Sequence, residues 1–193
     1  AQVNGTLDKL AIKAALQRPH VIDIDALFTR PQDQWRVAGQ VTSSAVSLEP
    51  WMEQPPVSFR NIALKVDAQP DNIHVTGNIG VPEFDSRDLT LDVQGKFAQR
   101  TLEISTADIS INESPARLHL AGSAQFDGDA PTVYVAAQWT DLQWPLHEKP
   151  MLSSAHGSLT LRGPLPYEYA LNAQLIAPSV GESEGTANGV LSK

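Results

Sequence analysis

Between Ala116 and Phe126 the chain reads ARLHLAGSAQF. Its even positions (Ala116, Leu118, Leu120, Gly122, Ala124, Phe126) are apolar, and its odd ones (Arg117, His119, Ala121, Ser123, Gln125) are mostly polar. Such alternation marks a strand with one buried and one wet face. The same two-step pattern sets Leu89, Leu91 and Val93 against Thr90, Asp92 and Gln94, and it links Tyr167, Tyr169, Leu171, Ala173 and Leu175. Turn-forming stretches separate these runs: RPQDQ at 30–34, AQPDN at 68–72, FDGDAP at 126–131 and RGPLP at 162–166. About a dozen strands are predicted, with almost no room for helices. Between Leu7 and Arg18 a helical period also fits, but Leu10, Ile12, Ala14 and Leu16 alternate, and a strand is favoured there.

Several strands change parity midway. In AAQWTDLQWPL, residues 136–146, Ala137 and Trp139 are odd, whereas Leu142, Trp144 and Leu146 are even. TLEISTADISIN makes the same move, from Leu102 and Ile104 to Ala107, Ile109 and Ile111. Side chains alternate with period two, so one inserted residue keeps an apolar set on one face after such a shift, and that insertion is a β-bulge. Bulges add bend and twist, so repeated bulges predict a sheet that curls with its apolar side inward.

Weak internal similarity supports a repetitive architecture. GTLDKLAIKAALQRP at 5–19 aligns with GPLPYEYALNAQLIAP at 163–178, and VAGQVTSSAVSLEPW from Val37 shares Val-Ala-x-Gln-x-Thr with VAAQWTDLQWPL from Val135. The parity change recurs in the second pair: Val37 and Val41, then Val46 and Leu48, match Val135 and Trp139, then Leu142, Trp144 and Leu146. The expected fold is all-β: a long, curled, bulged antiparallel sheet, an open groove or solenoid with an apolar inner face. Residues 1–193 form one segment of it, without separate domains and with weak repeats at 5–51 and 133–178. The closing TANGVLSK enters a further strand, which suits an interior piece of a longer repeat.

Composition narrows the chemistry. The 14 basic and 22 acidic residues leave a net charge of −8, which disfavours nucleic acid and anionic lipid headgroups as partners. No cysteine is present, so disulfides, thiolate metal sites and thiol catalysis are excluded. The longest apolar run, Val133 to Ala137, falls far short of the roughly 18 residues of a membrane helix. The N-terminal AQVNGTLDKL lacks the basic and hydrophobic regions of a signal peptide. GESEG at 181–185 matches G-x-S-x-G, but no acid or histidine follows it to complete a triad, so a polar turn is the expectation. His20, His74, His119, His147 and His156 lie singly, without metal-ligand spacing. Asp23 and Asp25 fill the polar face opposite Ile22 and Ile24, and the two acids of FDGDA are too few for calcium. No catalytic residue, metal or cofactor is expected. Of the four tryptophans, Trp139 and Trp144 belong to the alternating apolar set, which favours core or groove lining over a sugar platform; Trp35 and Trp51 complete the four.

The run QWTDLQWPL, followed by SSAHGSLTLRGPLPYEYALNAQL, resembles the periplasmic repeats of the TamB family, the inner-membrane subunits of the translocation and assembly module within the AsmA-like group. The likeness is strongest from Leu118 to Pro178. It implies a β-taco of the bridge-like lipid transfer type: a segment of a protein anchored in the inner membrane of a Gram-negative cell. That protein would move phospholipid to the outer membrane and, with a TamA-like outer-membrane barrel partner, assemble barrel proteins and autotransporters. Phospholipid acyl chains would be the cargo and unfolded outer-membrane proteins a further one.

On this reading the groove-lining candidates include Leu89, Leu91 and Val93, then Leu102, Ile104, Ile109 and Ile111. Leu118, Leu120 and Phe126 follow, then Val133, Val135, Trp139, Leu142 and Trp144, and finally Leu171 and Leu175. A lipid tail gains at about 25 cal/mol per Å² on such a wall and needs no signature residue. Two other readings are open. One is a closed sandwich or solenoid, structural or adhesin-like, with a dry core. The other is a sheet edge that holds unfolded barrel strands by strand addition.

Overall fold

A computed structural model of the protein describes residues 2–6, 8–17, 21–30, 34–47, 57–82, 87–127, 130–144, 151–177 and 181–191, the side chain of Trp144 excepted. The fold is all-β. Thirteen antiparallel strands are hydrogen-bonded in chain order, without crossovers, and the described residues contain no helix. They are β1 (Gln2–Thr6), β2 (Lys9–Leu16), β3 (Ile22–Thr29), β4 (Arg36–Ser47), β5 (Ser58–Gln69), β6 (Asn72–Gly80), β7 (Asp88–Ala98), β8 (Thr101–Ile111), β9 (Arg117–Gln125), β10 (Thr132–Trp144), β11 (Leu152–Gly163), β12 (Tyr167–Ala177) and β13 (Gly181–Leu191). The order is linear, so the sheet is open: β1 and β13 each have one paired neighbour. Two compact units divide the chain, Ala1–Asp92 and Val93–Lys193.

Where short turns are described they enforce this order locally, because a tight turn can join only antiparallel neighbours. Pro70 and Asp71 close a hairpin in which Gln69 pairs with Asn72. Gln99 and Arg100, both with positive φ (49° and 63°), join β7 to β8 in the manner of a type I′ turn. The stretch from Leu7 to Arg18 is resolved in favour of strand: in β2, Leu10, Ile12 and Ala14 are half-buried while Ala11, Lys13 and Ala15 are exposed. Leu7 and Arg18 themselves lie outside the described residues. GESEG forms part of β13, with Ser183 paired to Leu175, where a turn was expected; pairing with β12 overrides the weak strand propensity of glycine and glutamate.

The parity changes fall where the backbone leaves regular strand geometry. In β8, Ile104 pairs with Gly122 and Ala107 with Leu120, so Ser105 and Thr106 together face Ala121. That is the predicted bulge, and it returns Ala107 and Ile109 to the face of Leu102 and Ile104.

The change in β10 is made by two strands at once. Asp141 adopts left-handed backbone (φ 52°), yet β10 and β11 keep one register through it, with Thr140 opposite His156 and Leu142 opposite Ser154. β11 therefore switches face in step with β10. Its extra residue emerges on the other side, where the register with β12 shifts between Ser153 and Gly157.

The first unit carries the same device on β4 and β5. Asn61 is left-handed (φ 50°), the pairs Ser43–Ile62 and Ala45–Arg60 flank it without a shift, and the extra residue shows against β6 between Arg60 and Ala63. Asn and Asp are the side chains that best tolerate this conformation. Each kink holds a buried serine whose oxygen lies beside the carbonyl two residues on: Ser43 to Ala45 at 3.1 Å and Ser154 to His156 at 3.0 Å. The Ser43 hydroxyl also reaches the Val21 carbonyl at 2.6 Å.

Candidate functional site

Directly paired residues share a face, so the registers assemble each side of the sheet. In the first unit one face collects Leu10, Ile12 and Ala14 of β2 and Ile24, Ala26 and Phe28 of β3. It continues through Val37 and Val41 of β4, Leu64, Val66 and Ala68 of β5, and Ile73 and Val75 of β6. In the second unit the corresponding face carries Leu102, Ile104, Ala107 and Ile109 against Leu118 and Leu120. It runs on through Val133, Val135, Ala137 and Trp139, then Leu159 and Leu161, then Tyr169, Leu171 and Ala173.

These faces are apolar but only half covered. Among the described apolar residues only Val81, Ala107, Ile111, Ala116 and Ala173 are fully buried. Leu89, Leu91, Val93, Leu102, Ile104, Ile109, Leu118, Leu120, Val133, Val135, Trp139, Leu171 and Leu175 all keep intermediate exposure. Ile111 is buried at the end of β8. Phe126 lies just past β9, is 45% exposed, and is fixed by its backbone N–H bonding to the Arg100 carbonyl. Leu142 is 38% exposed. Trp144 pairs with Leu152 through its backbone, and its side chain lies outside the described residues, as do Leu48, Trp51 and Leu146.

Trp139 shows how the face is kept continuous across a kink. Its indole lies over Gly157, and Nε1 donates to Ser154 Oγ at 2.9 Å. That bond puts Ser154 on the side of Trp139, and Leu142, opposite Ser154, comes with it. Ser154 is satisfied in full, accepting from the indole and donating to the His156 carbonyl. The face thus carries a buried polar group that presents no free hydrogen-bonding capacity.

The opposite face is wet and closed by side-chain pairs. Lys13 meets Asp25 at 3.2 Å, Lys96 meets Glu103 at 3.0 Å, and Arg162 Nε meets Glu168 at 3.1 Å. Arg36 grips Asp67 with two nitrogens, Nε at 3.0 Å from Oδ1 and Nη2 on Oδ2. The hydrogen bonds from that guanidinium hold the Asp67 carboxyl below the usual carboxylate range and raise Arg36 in turn. His74 lies 2.9 Å from Asp92, and His119 Nδ1 lies 2.7 Å from Asp108, whose carboxyl the His119 bond lowers. Trp35 is exposed; His20 and His147 fall outside the described residues.

No group of three His, Asp or Glu side chains suited to a metal occurs among the described residues. Among the described residues no helix is long and apolar enough to cross a membrane.

The sequence candidates concentrate in the second unit, whereas the face in the first unit is just as extensive. Its signal was the same alternation, visible in Ile62, Leu64 and Val66 against Ala63 and Lys65. Ser43, Ser154 and Gly157 carried no such signal, because their roles depend on cross-strand partners.

Fold and face together define the class: an open, meandering all-β sheet with one apolar and one ion-paired side. Comparison of the chain with protein-family models, with curated proteins and with solved structures finds no match.

Proposed function

We propose that the chain is a periplasmic segment of a TamB-like protein, anchored elsewhere in the inner membrane, whose apolar sheet face conducts phospholipid acyl chains towards the outer membrane. One observation carries the reading: strand after strand contributes Leu, Ile and Val to one face, and those side chains stay half exposed. A dry, closed core would take residues such as Leu118 and Leu120 out of solvent altogether. A lipid tail that covered ~100 Å² of the face would gain about 2.5 kcal/mol, repeated at each step along the sheet and without a polar anchor to stall it. The role is that of a binding surface, with no catalytic group and no cofactor. A TamA-like barrel would meet the full-length protein, and unfolded outer-membrane strands are a second cargo for the same surface.

The test is site-specific photo-crosslinking in a bacterial periplasm. A photoreactive residue at Leu120 or Ile109 should capture phospholipid, and one at His119 or Ser110, on the other face, should not. Equal capture on both faces would remove the proposal.

A further inference from the structure

The ion pairs of the wet face leave one region of the second unit unpaired. Across β10, β11 and β12, the side chains of Gln138, Thr140, Ser158 and Asn172 hold no hydrogen bond among the described residues. Gln138, Ser158 and Asn172 stand in one cross-strand row, and Thr140 pairs with His156 in the next. These groups line a cavity of about 500 Å³ that extends from β9 to β13.

Charges of both signs stand at its rim. Arg117 donates through Nη1 to the carbonyls of Ser114 and Ala116, His119 is bonded to Asp108, and Glu184 stands on the far side. The floor between them holds a row of amides and hydroxyls, each offering both donor and acceptor, beside His156 and the backbone positions of Trp139 and Gly157. An anion meets Glu184 at the rim as well as Arg117, whose Nη1 is tied to two carbonyls, and an apolar ligand would strand the amides. A ligand whose own groups donate and accept at close spacing fits, and that is the chemistry of sugar hydroxyls.

We propose that this hollow binds a neutral oligosaccharide. The site lies on the opposite face from the acyl-chain surface and is independent of that function.

The probes are maltotetraose and tri-N-acetylchitotriose, added at millimolar concentration to the isotope-labelled protein and followed by NMR. The side-chain NH₂ signals of Gln138 and Asn172 should shift saturably with one of the two. Both residues are exposed, so the double variant Gln138→Ala/Asn172→Ala should keep the circular dichroism of the parent. It should bind about tenfold more weakly, the loss expected for two neutral hydrogen bonds. Absence of saturable shifts with either sugar would overturn the proposal. So would unchanged affinity in the double variant, or shifts produced only by a sulfated oligosaccharide.

Discussion

Replacing Gly157 by alanine probes the packing that carries the apolar face through the β10–β11 kink. The new Cβ would lie 2.1 Å from Cζ2 and 2.4 Å from Cε2 of Trp139, so the indole must move. Cε2 is bonded to Nε1, and the ring cannot swing clear without lengthening its 2.9 Å bond to Ser154. Ser154 is buried and cannot exchange that partner for bulk water. Loss of the bond costs about 1 kcal/mol, and forced repacking of a large side chain adds about 1–3. The chain-entropy gain of Gly→Ala returns roughly 0.5, which leaves a destabilisation of about 1.5–3.5 kcal/mol. Urea unfolding followed by far-UV circular dichroism measures it. Ser154→Ala alone removes the indole bond and the one to the His156 carbonyl, and should cost about 2 kcal/mol. Because the indole bond can be lost only once, the double variant should fall short of the summed single costs by about 1 kcal/mol. A Gly157→Ala protein as stable as the parent, or two substitutions that simply add, would refute the reasoning.

Two further outcomes follow from the backbone and the wet face. At Asp141, whose φ is 52°, Gly should leave stability unchanged or slightly higher, whereas Val should lower it by about 1–2 kcal/mol; a harmless Val would mean that the left-handed kink is absent. Asp108 titrates below the ordinary carboxylate range because His119 bonds to its ionised form. A depressed folded-state value contributes stability that is complete above the unfolded carboxylate range and is lost as pH falls through the folded value. Both side chains are more than half exposed, so the effect is small. His119→Ala should flatten the acid limb of the stability curve, and an unchanged limb would discount the pair.

Much of this architecture is legible in the residues alone. Alternation identified β9 and β12 by their own side chains, and the parity switch in TLEISTADISIN located the β8 bulge within two residues. The GESEG stretch was misread as a turn, because its residues carry no alternating pattern and become a strand only by pairing with β12. The switch in AAQWTDLQWPL was recognised, but its mechanism was not. A one-sided bulge and a paired kink leave the same mark on one strand, and only the partner strand distinguishes them.

Period-two patterning is a local property, fixed by covalent geometry, so the sequence by itself determined the all-β class, an antiparallel sheet, and which side chains share a face in the strands whose alternation it carries. Register is not local. That Trp139 lies over Gly157, that Ser154 completes its hydrogen bonds, and that four uncharged polar side chains gather in one hollow depend on strands aligned by their common pairing. Those are decisions of the tertiary structure, because each contact joins residues whose nearness no stretch of the chain encodes alone.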